Sequence, residues 1–116
     1  MAHAADTWAR LSEMLEKAEL ADLPSLYHQD AVYLEPYNPP HNGNLLIQAY
    51  LKDYLGGKDD VDIAEKKVIE SEDGRYLAVE WTISYTAAGR RWNELPRASF
   101  LEFDGDGRIV HHRDYA

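Results

Sequence analysis

From Thr7 to Leu20 the apolar residues Trp8, Leu11, Met14, Leu15 and Ala18 recur three and four positions apart. That spacing lays them on one stripe of a helix, with Asp6 or Thr7 placed to cap its N-terminus. Residues 23–27 follow Asp22 and carry Pro24 in a first turn, where a missing N–H costs nothing, so a short second helix ending at Asp30 is expected. Residues 31–35 read as a short strand stopped by Pro36, and residues 37–43 are too rich in Pro and Asn for anything but a loop. Leu46, Ile47, Tyr50, Leu51 and Tyr54 then mark a third helix between Asn44 and the Gly56-Gly57 stop.

From Asp60 onward the period changes to two. Residues 61–71 are strand-like up to the turn at Glu72-Asp73-Gly74. In residues 76–85, Leu77, Val79, Trp81, Ile83 and Tyr85 share one face, with Ala78, Glu80, Thr82 and Ser84 on the other. A turn at residues 87–90 leads to a strand over residues 92–103, and a turn at 104–107 to a last strand over 108–115. Helices first and a meander afterwards predict one α+β domain over residues 1–116, with three N-terminal helices on one face of a curved antiparallel sheet.

Composition narrows the function. The 116 residues hold 12 Lys+Arg against 21 Asp+Glu, a net charge of −9, so the field of the chain repels phosphate backbones and anionic lipid. The longest basic groups are the pairs Lys66-Lys67 and Arg90-Arg91, and neither nucleic acid nor a membrane is an expected partner. There is no cysteine, which removes disulfides, thiol nucleophiles and cysteine-ligated metal. No basic leader or long apolar run is present, and a cytoplasmic protein is the expectation. Eight Tyr and three Trp either fill a core or line a small-molecule pocket with apolar faces and polar tips.

The element order, together with Tyr27-His28-Gln29-Asp30-Ala31-Val32-Tyr33-Leu34-Glu35-Pro36, Gly43 before the third helix, and the closing stretch from Asp106-Gly107-Arg108 to Asp114-Tyr115, resembles the nuclear transport factor 2-like superfamily. That superfamily, of cystatin-like fold, includes ketosteroid isomerase, SnoaL-like polyketide cyclases and limonene epoxide hydrolase. The resemblance covers Trp8 to Tyr115 and implies a cone-shaped α+β barrel whose mouth is a ligand pocket. Relatives often continue past this chain's last residues, so a more open mouth is expected.

The resemblance also assigns roles. Glu35, before Pro36, stands where ketosteroid isomerase has its proton-shuttling carboxylate. Tyr33 lies on the same face, in the slot of a limonene epoxide hydrolase tyrosine, while Glu35 departs from the asparagine that follows there. Asp114 matches an epoxide hydrolase-type aspartate, and His112-x-Asp114 is a pair found in SnoaL-like sequences. A histidine beside a carboxylate can serve as acid or base near neutral pH. Each of these has a bland alternative: a solvated strand end for Glu35, a core tyrosine for Tyr33, an arginine pair for Asp114.

Ser99 and Leu11 replace the two strong oxyanion donors of ketosteroid isomerase, which disfavours steroid isomerisation. The Arg-x-Asp pair of limonene epoxide hydrolase is missing as well, since the inward face of that strand offers Val79, Trp81 and Ile83. Arg97 is either an inward charge or a snorkelling side chain. Tyr50 and Tyr54 complete the expected substrate-binding set of Trp81, Ser99, Arg97, Val79 and Ile83. Asp104-Gly105-Asp106-Gly107 starts like a calcium loop but lacks its later ligands and reads as a hairpin turn, and no metal site is expected. The resemblance thus implies a cofactor-free acid/base enzyme acting on a small hydrophobic molecule by isomerisation, cyclisation or epoxide hydrolysis. Its catalytic set would be Glu35, His112, Asp114 and Tyr33, and the alternative is a non-catalytic binding module. It further implies a homodimer through the convex sheet face, where Glu80, Thr82, Ser84, Phe100 and Glu102 would give a rather polar interface.

Overall fold

In the computed structural model, which describes residues 4–116, the first amphipathic stripe forms helix α1 (Ala4–Lys17) and buries Ala4, Trp8, Leu11 and Leu15. Residues 1–3 of the expected domain lie outside the described residues. The helix stops short of Leu20 because Ala18 turns left-handed, with φ 54°. The N–H groups of Ala18 and Glu19 then return to the carbonyls of Leu15 and Met14, at 3.3 and 3.0 Å, a Schellman closure. Leu20 is thereby released into the core.

The expected second helix is only a 3-10 turn, Leu23–Leu26. Tyr27 is already extended, with φ −113° and ψ 144°, because it opens strand β1 (Tyr27–Leu34) and pairs with Ile109. There are thus two α-helices rather than three. The expected loop contains a two-residue strand, β2 (His41–Asn42), which sets His41 opposite Tyr33. Gly43 has φ 95°, and its N–H donates to the Ala31 carbonyl at 2.7 Å, so the chain turns tightly into helix α2 (Asn44–Leu55). α2 buries Ile47, Leu51 and Leu55 and keeps Tyr50 and Tyr54 half-buried; Leu46, expected on its apolar stripe, is 60% exposed.

Strands β3 (Asp59–Glu70), β4 (Tyr76–Ala87), β5 (Arg90–Phe103) and β6 (Ile109–Tyr115) complete a six-stranded, unclosed sheet of order β2-β1-β6-β5-β4-β3. The sheet is not wholly antiparallel, because β1 runs parallel to β6. A parallel pair needs a long crossover, which the rest of the chain supplies. Register shifts within β3, β4 and β5 mark bulges that bend the sheet. One of them buries Ser84 beside Ile83 and lets the Ser84 hydroxyl accept from the Glu94 N–H at 2.9 Å, so Ser84 leaves the outward face where alternation placed it. The turn at Asp104 is a hairpin whose carboxylate accepts the N–H groups of Asp106 and Arg108, both at 2.9 Å.

The concave face holds the core. Trp8 packs on Trp81 with centroids 5.5 Å apart, and Leu23, Ile47, Leu77, Leu101, Phe103 and Ile109 are buried around them. Each such side chain contributes about 1.5–3 kcal/mol on leaving water. That packing leaves a hollow bordered by Trp8 and Trp81 themselves.

Candidate active site

The hollow is a cavity of about 170 Å³. Trp8, Leu11 and Leu15 of α1 and Tyr50, Leu51, Tyr54 and Leu55 of α2 form its apolar wall, with Trp81 and Ile83 of β4 opposite. Polar groups enter from Tyr33, Glu35, Arg97, His112 and Asp114.

Strand pairing concentrates these groups. Tyr33 is the parallel partner of His112, and Ser99 is the antiparallel partner of Asp114. The Asp114 carboxylate consequently receives three donors. Oδ1 accepts from the Ser99 hydroxyl at 2.5 Å and from His112 Nε2 at 2.8 Å, while Oδ2 accepts from the Tyr33 hydroxyl. Ser99 Oγ in turn accepts from the Trp81 indole N–H at 2.9 Å, and His112 Nδ1 meets the Tyr27 hydroxyl at 2.8 Å. The network therefore runs from Trp81 through Ser99, Asp114 and His112 to Tyr27, with Tyr33 as a branch.

Its electrostatics follow from its donors. Burial pushes the Asp114 carboxyl up, but the charge of His112 and the hydrogen bonds from His112, Ser99 and Tyr33 outweigh it and hold the group below its ordinary range. Tyr27 and Tyr33 are pushed well up, by burial first and then by the Asp114 charge, so both remain protonated donors. An ionised Asp114 requires a hydrogen on His112 Nε2. In neutral His112 the Nδ1 atom is then the acceptor, and Tyr27 donates to it.

Glu35 is in a different state. It follows β1 directly and lines the cavity, and its Oε1 is buried without a partner. Burial and then the Glu35 charge push the Tyr50 hydroxyl up to about 12. The His41 ring lies on Tyr50 with centroids 4.1 Å apart, and His41 Nε2 is likewise buried without a partner. Arg97 lines the cavity from β5 and donates from Nη1 to the Pro96 carbonyl at 2.8 Å.

Of the residues named from sequence, Tyr33, Glu35, Tyr50, Tyr54, Trp81, Ile83, Arg97, His112 and Asp114 line the cavity. Ser99 stands behind its wall, tied to Asp114 and Trp81. Val79 is a correction. It is buried in the packed core opposite Val68, because the inward face of β4 extends beyond the hollow. Tyr27 and His41 were missed, since one was read as a helix end and the other as loop. No regular period marked Tyr27, because Gln29 between it and Ala31 is exposed and the register of β1 shifts between Tyr27 and Val32.

Residues 8–112 match the SnoaL-like domain family. The chain belongs to this family. Among solved structures, the SnoaL-like chain is similar to a steroid delta-isomerase from Pseudomonas aeruginosa, with 30% identity, TM-score 0.73 and coverage of 98% of this chain and 79% of that one. It is also similar to an LEH-like epoxide hydrolase of M. tuberculosis, with 20% identity, TM-score 0.77 and coverage of 97% and 80%. A protein of ketosteroid isomerase-like fold from Catenulispora acidiphila, in complex with trimethylamine, aligns with 16% identity, TM-score 0.80 and coverage of 97% and 84%. No curated protein matches the sequence. Structures named as an isomerase and as an epoxide hydrolase thus share this fold, and fold alone does not choose between such reactions.

Proposed function

We propose that this SnoaL-like chain moves a proton on a small hydrophobic carbonyl compound, with Glu35 as the base and no cofactor. The observation that carries the reading is the buried, unpartnered Oε1 of Glu35 on the cavity wall. Asp114, with three donors, is held ionised and acts as the orienting anion for Tyr33 and His112, which leaves the unpartnered Glu35 oxygen as the carboxylate atom on the wall open to a substrate. Glu35 removes a proton from the carbon between the carbonyl and a neighbouring carbon–carbon double bond, the electron pair is delocalised to oxygen as a dienolate, and the same carboxyl returns the proton to the far carbon of that dienolate, giving the conjugated enone. Tyr50 retains its proton to about pH 12 and lines the same wall, which supports it as donor to that oxygen. Leu11 on the wall and the Ser99 proton committed to Asp114 argue against the steroid reaction, as does the size of the cavity.

The test is deuterium incorporation into a panel of small cyclic enones, followed by NMR. The native protein is expected to catalyse exchange in at least one, and Glu35→Gln to slow it by about a hundredfold or more. Exchange undiminished in Glu35→Gln would remove Glu35 from the role. A second reading, a binding module, is favoured by the saturated Asp114. Quenching of tryptophan fluorescence by the enones without exchange would support it.

We also propose that two copies pair through the convex face. Ile69, Tyr76, Phe100 and Tyr115 are 62%, 43%, 45% and 51% exposed there, which makes the face more aromatic than the polar interface expected from sequence, and Ser84 is no part of it. Sedimentation at micromolar concentration is expected to report a dimer, and Phe100→Glu a monomer.

A further inference from the structure

Two cations stand beside the cavity without an acidic partner. Arg97 faces the hollow from β5, donates to the carbonyl of its neighbour Pro96 and interacts with the Tyr54 hydroxyl, a neutral partner. The Lys58 ammonium lies 4.2 Å from the Tyr54 ring centroid and 5.2 Å from that of Tyr85, and donates to the Tyr54 carbonyl. Among the described residues the ion pairs are Lys17–Glu13, Lys66–Glu94 and His112–Asp114, so neither cation is neutralised.

Their placement is directional. Tyr50 and Tyr54 sit one helical turn apart on α2, about 6 Å along its axis. After burial, the strongest influence on the Tyr50 hydroxyl is the Glu35 carboxylate, and on the Tyr54 hydroxyl the Arg97 charge. Burial and then the Arg97 charge also push the Lys58 ammonium down. Strand register separates the charges: Ser99 pairs with Asp114, and Arg97 lies two residues away along β5, opposite Trp81, so the cavity has Glu35 and Asp114 toward one side and Arg97 toward the other.

We infer that the substrate carries a carboxylate, bound by Arg97 at the Tyr54 end of the cavity, with Lys58 adding its field from behind Tyr54. A planar guanidinium matches a carboxylate in two parallel hydrogen bonds. A single negative charge suits a cavity whose far end already holds two carboxylates, and their repulsion fixes the direction in which the molecule enters. The inference rests on the proton-transfer reading of Glu35. It sharpens that reading to a small oxo acid whose reacting carbon lies about one helical turn from its carboxylate.

The experiment compares phenylacetate, 3-phenylpropanoate and 4-phenylbutanoate with their primary amides, using quenching of tryptophan fluorescence. At least one acid is expected to bind about tenfold or more tightly than its amide. Arg97→Gln is expected to erase that ratio, Arg97→Lys to keep part of it, and Lys58→Met to reduce it less than Arg97→Gln. Added salt should weaken the acid and not the amide. The carboxylate inference is overturned if no acid outbinds its amide, or if Arg97→Gln leaves the ratio intact. Glu35→Gln separates the two ideas: it should preserve or raise the acid-to-amide ratio while slowing enone exchange by about a hundredfold or more. Exchange lost with no acid preference in the native protein would leave Glu35 as the base and remove the carboxylate.

Discussion

Asp114 and Glu35 reach one cavity from β6 and from the end of β1, yet Asp114 accepts from Tyr33, Ser99 and His112 while Glu35 has a buried oxygen with no partner. The difference lies in what each strand faces. Asp114 is flanked by β5, whose register delivers Ser99, and by β1, whose parallel pairing delivers Tyr33 beside His112. Glu35 follows the last residue of β1, where no neighbouring strand supplies a donor. One carboxylate is accordingly bound into the network, and the other keeps an oxygen unpaired.

Removing Asp114 should break this contrast most severely. Asp114→Ala leaves three buried donors aimed at nothing, and chemical denaturation is expected to show a loss of about 3–5 kcal/mol. A loss under about 1 kcal/mol would mean that the network contributes little to stability.

The same residue sets a pH dependence. Its folded pKa lies below the ordinary value and so below that of the unfolded chain. The linked stability is therefore present above about pH 4, the unfolded value, and declines as pH falls through the folded one. Unfolding free energies measured between pH 2 and 6 should show this slope in the native protein and a flatter one in Asp114→Asn.

Ser99→Ala is expected to cost less, about 1–3 kcal/mol, since it strands the Trp81 indole N–H and removes one of three donors. Carboxyl NMR should find Asp114 shifted upward, toward its ordinary range. An unmoved Asp114 would show that Ser99 does not help to hold its charge.

Glu35→Gln should change stability least, by under about 1 kcal/mol, because no partner of Oε1 is lost. A large loss of stability would show that Glu35 is structural after all, and the contrast with Asp114 would close.

Much of this was legible before any coordinates. The alternation Leu77, Val79, Trp81, Ile83 announced the inward face of β4, and the stripe Trp8, Leu11, Leu15 announced α1. Tyr33, Glu35, His112 and Asp114 were found from strand parity joined to a family resemblance. Alternation failed where a bulge intervened, as at Ser84, and where one face served two purposes, as at Val79 in the core and Trp81 on the cavity. Tyr27 was misread because Leu23, Pro24 and Leu26 suit one helical turn. The partner that makes Tyr27 extended, Ile109, lies more than eighty positions away.

The sequence by itself determined the periods of its elements, the acid excess of its net charge, and the identity of the groups able to carry protons. Tertiary structure alone decided that β1 would lie parallel to β6, that His112 would bridge Tyr27 and Asp114, and that Arg97 would face the hollow without an acid beside it. The reason is physical: a titratable side chain takes its character from desolvation and from donors or charges a few ångströms away. In this chain those neighbours come from strands distant in sequence, so their composition can be read along the chain but their meeting cannot.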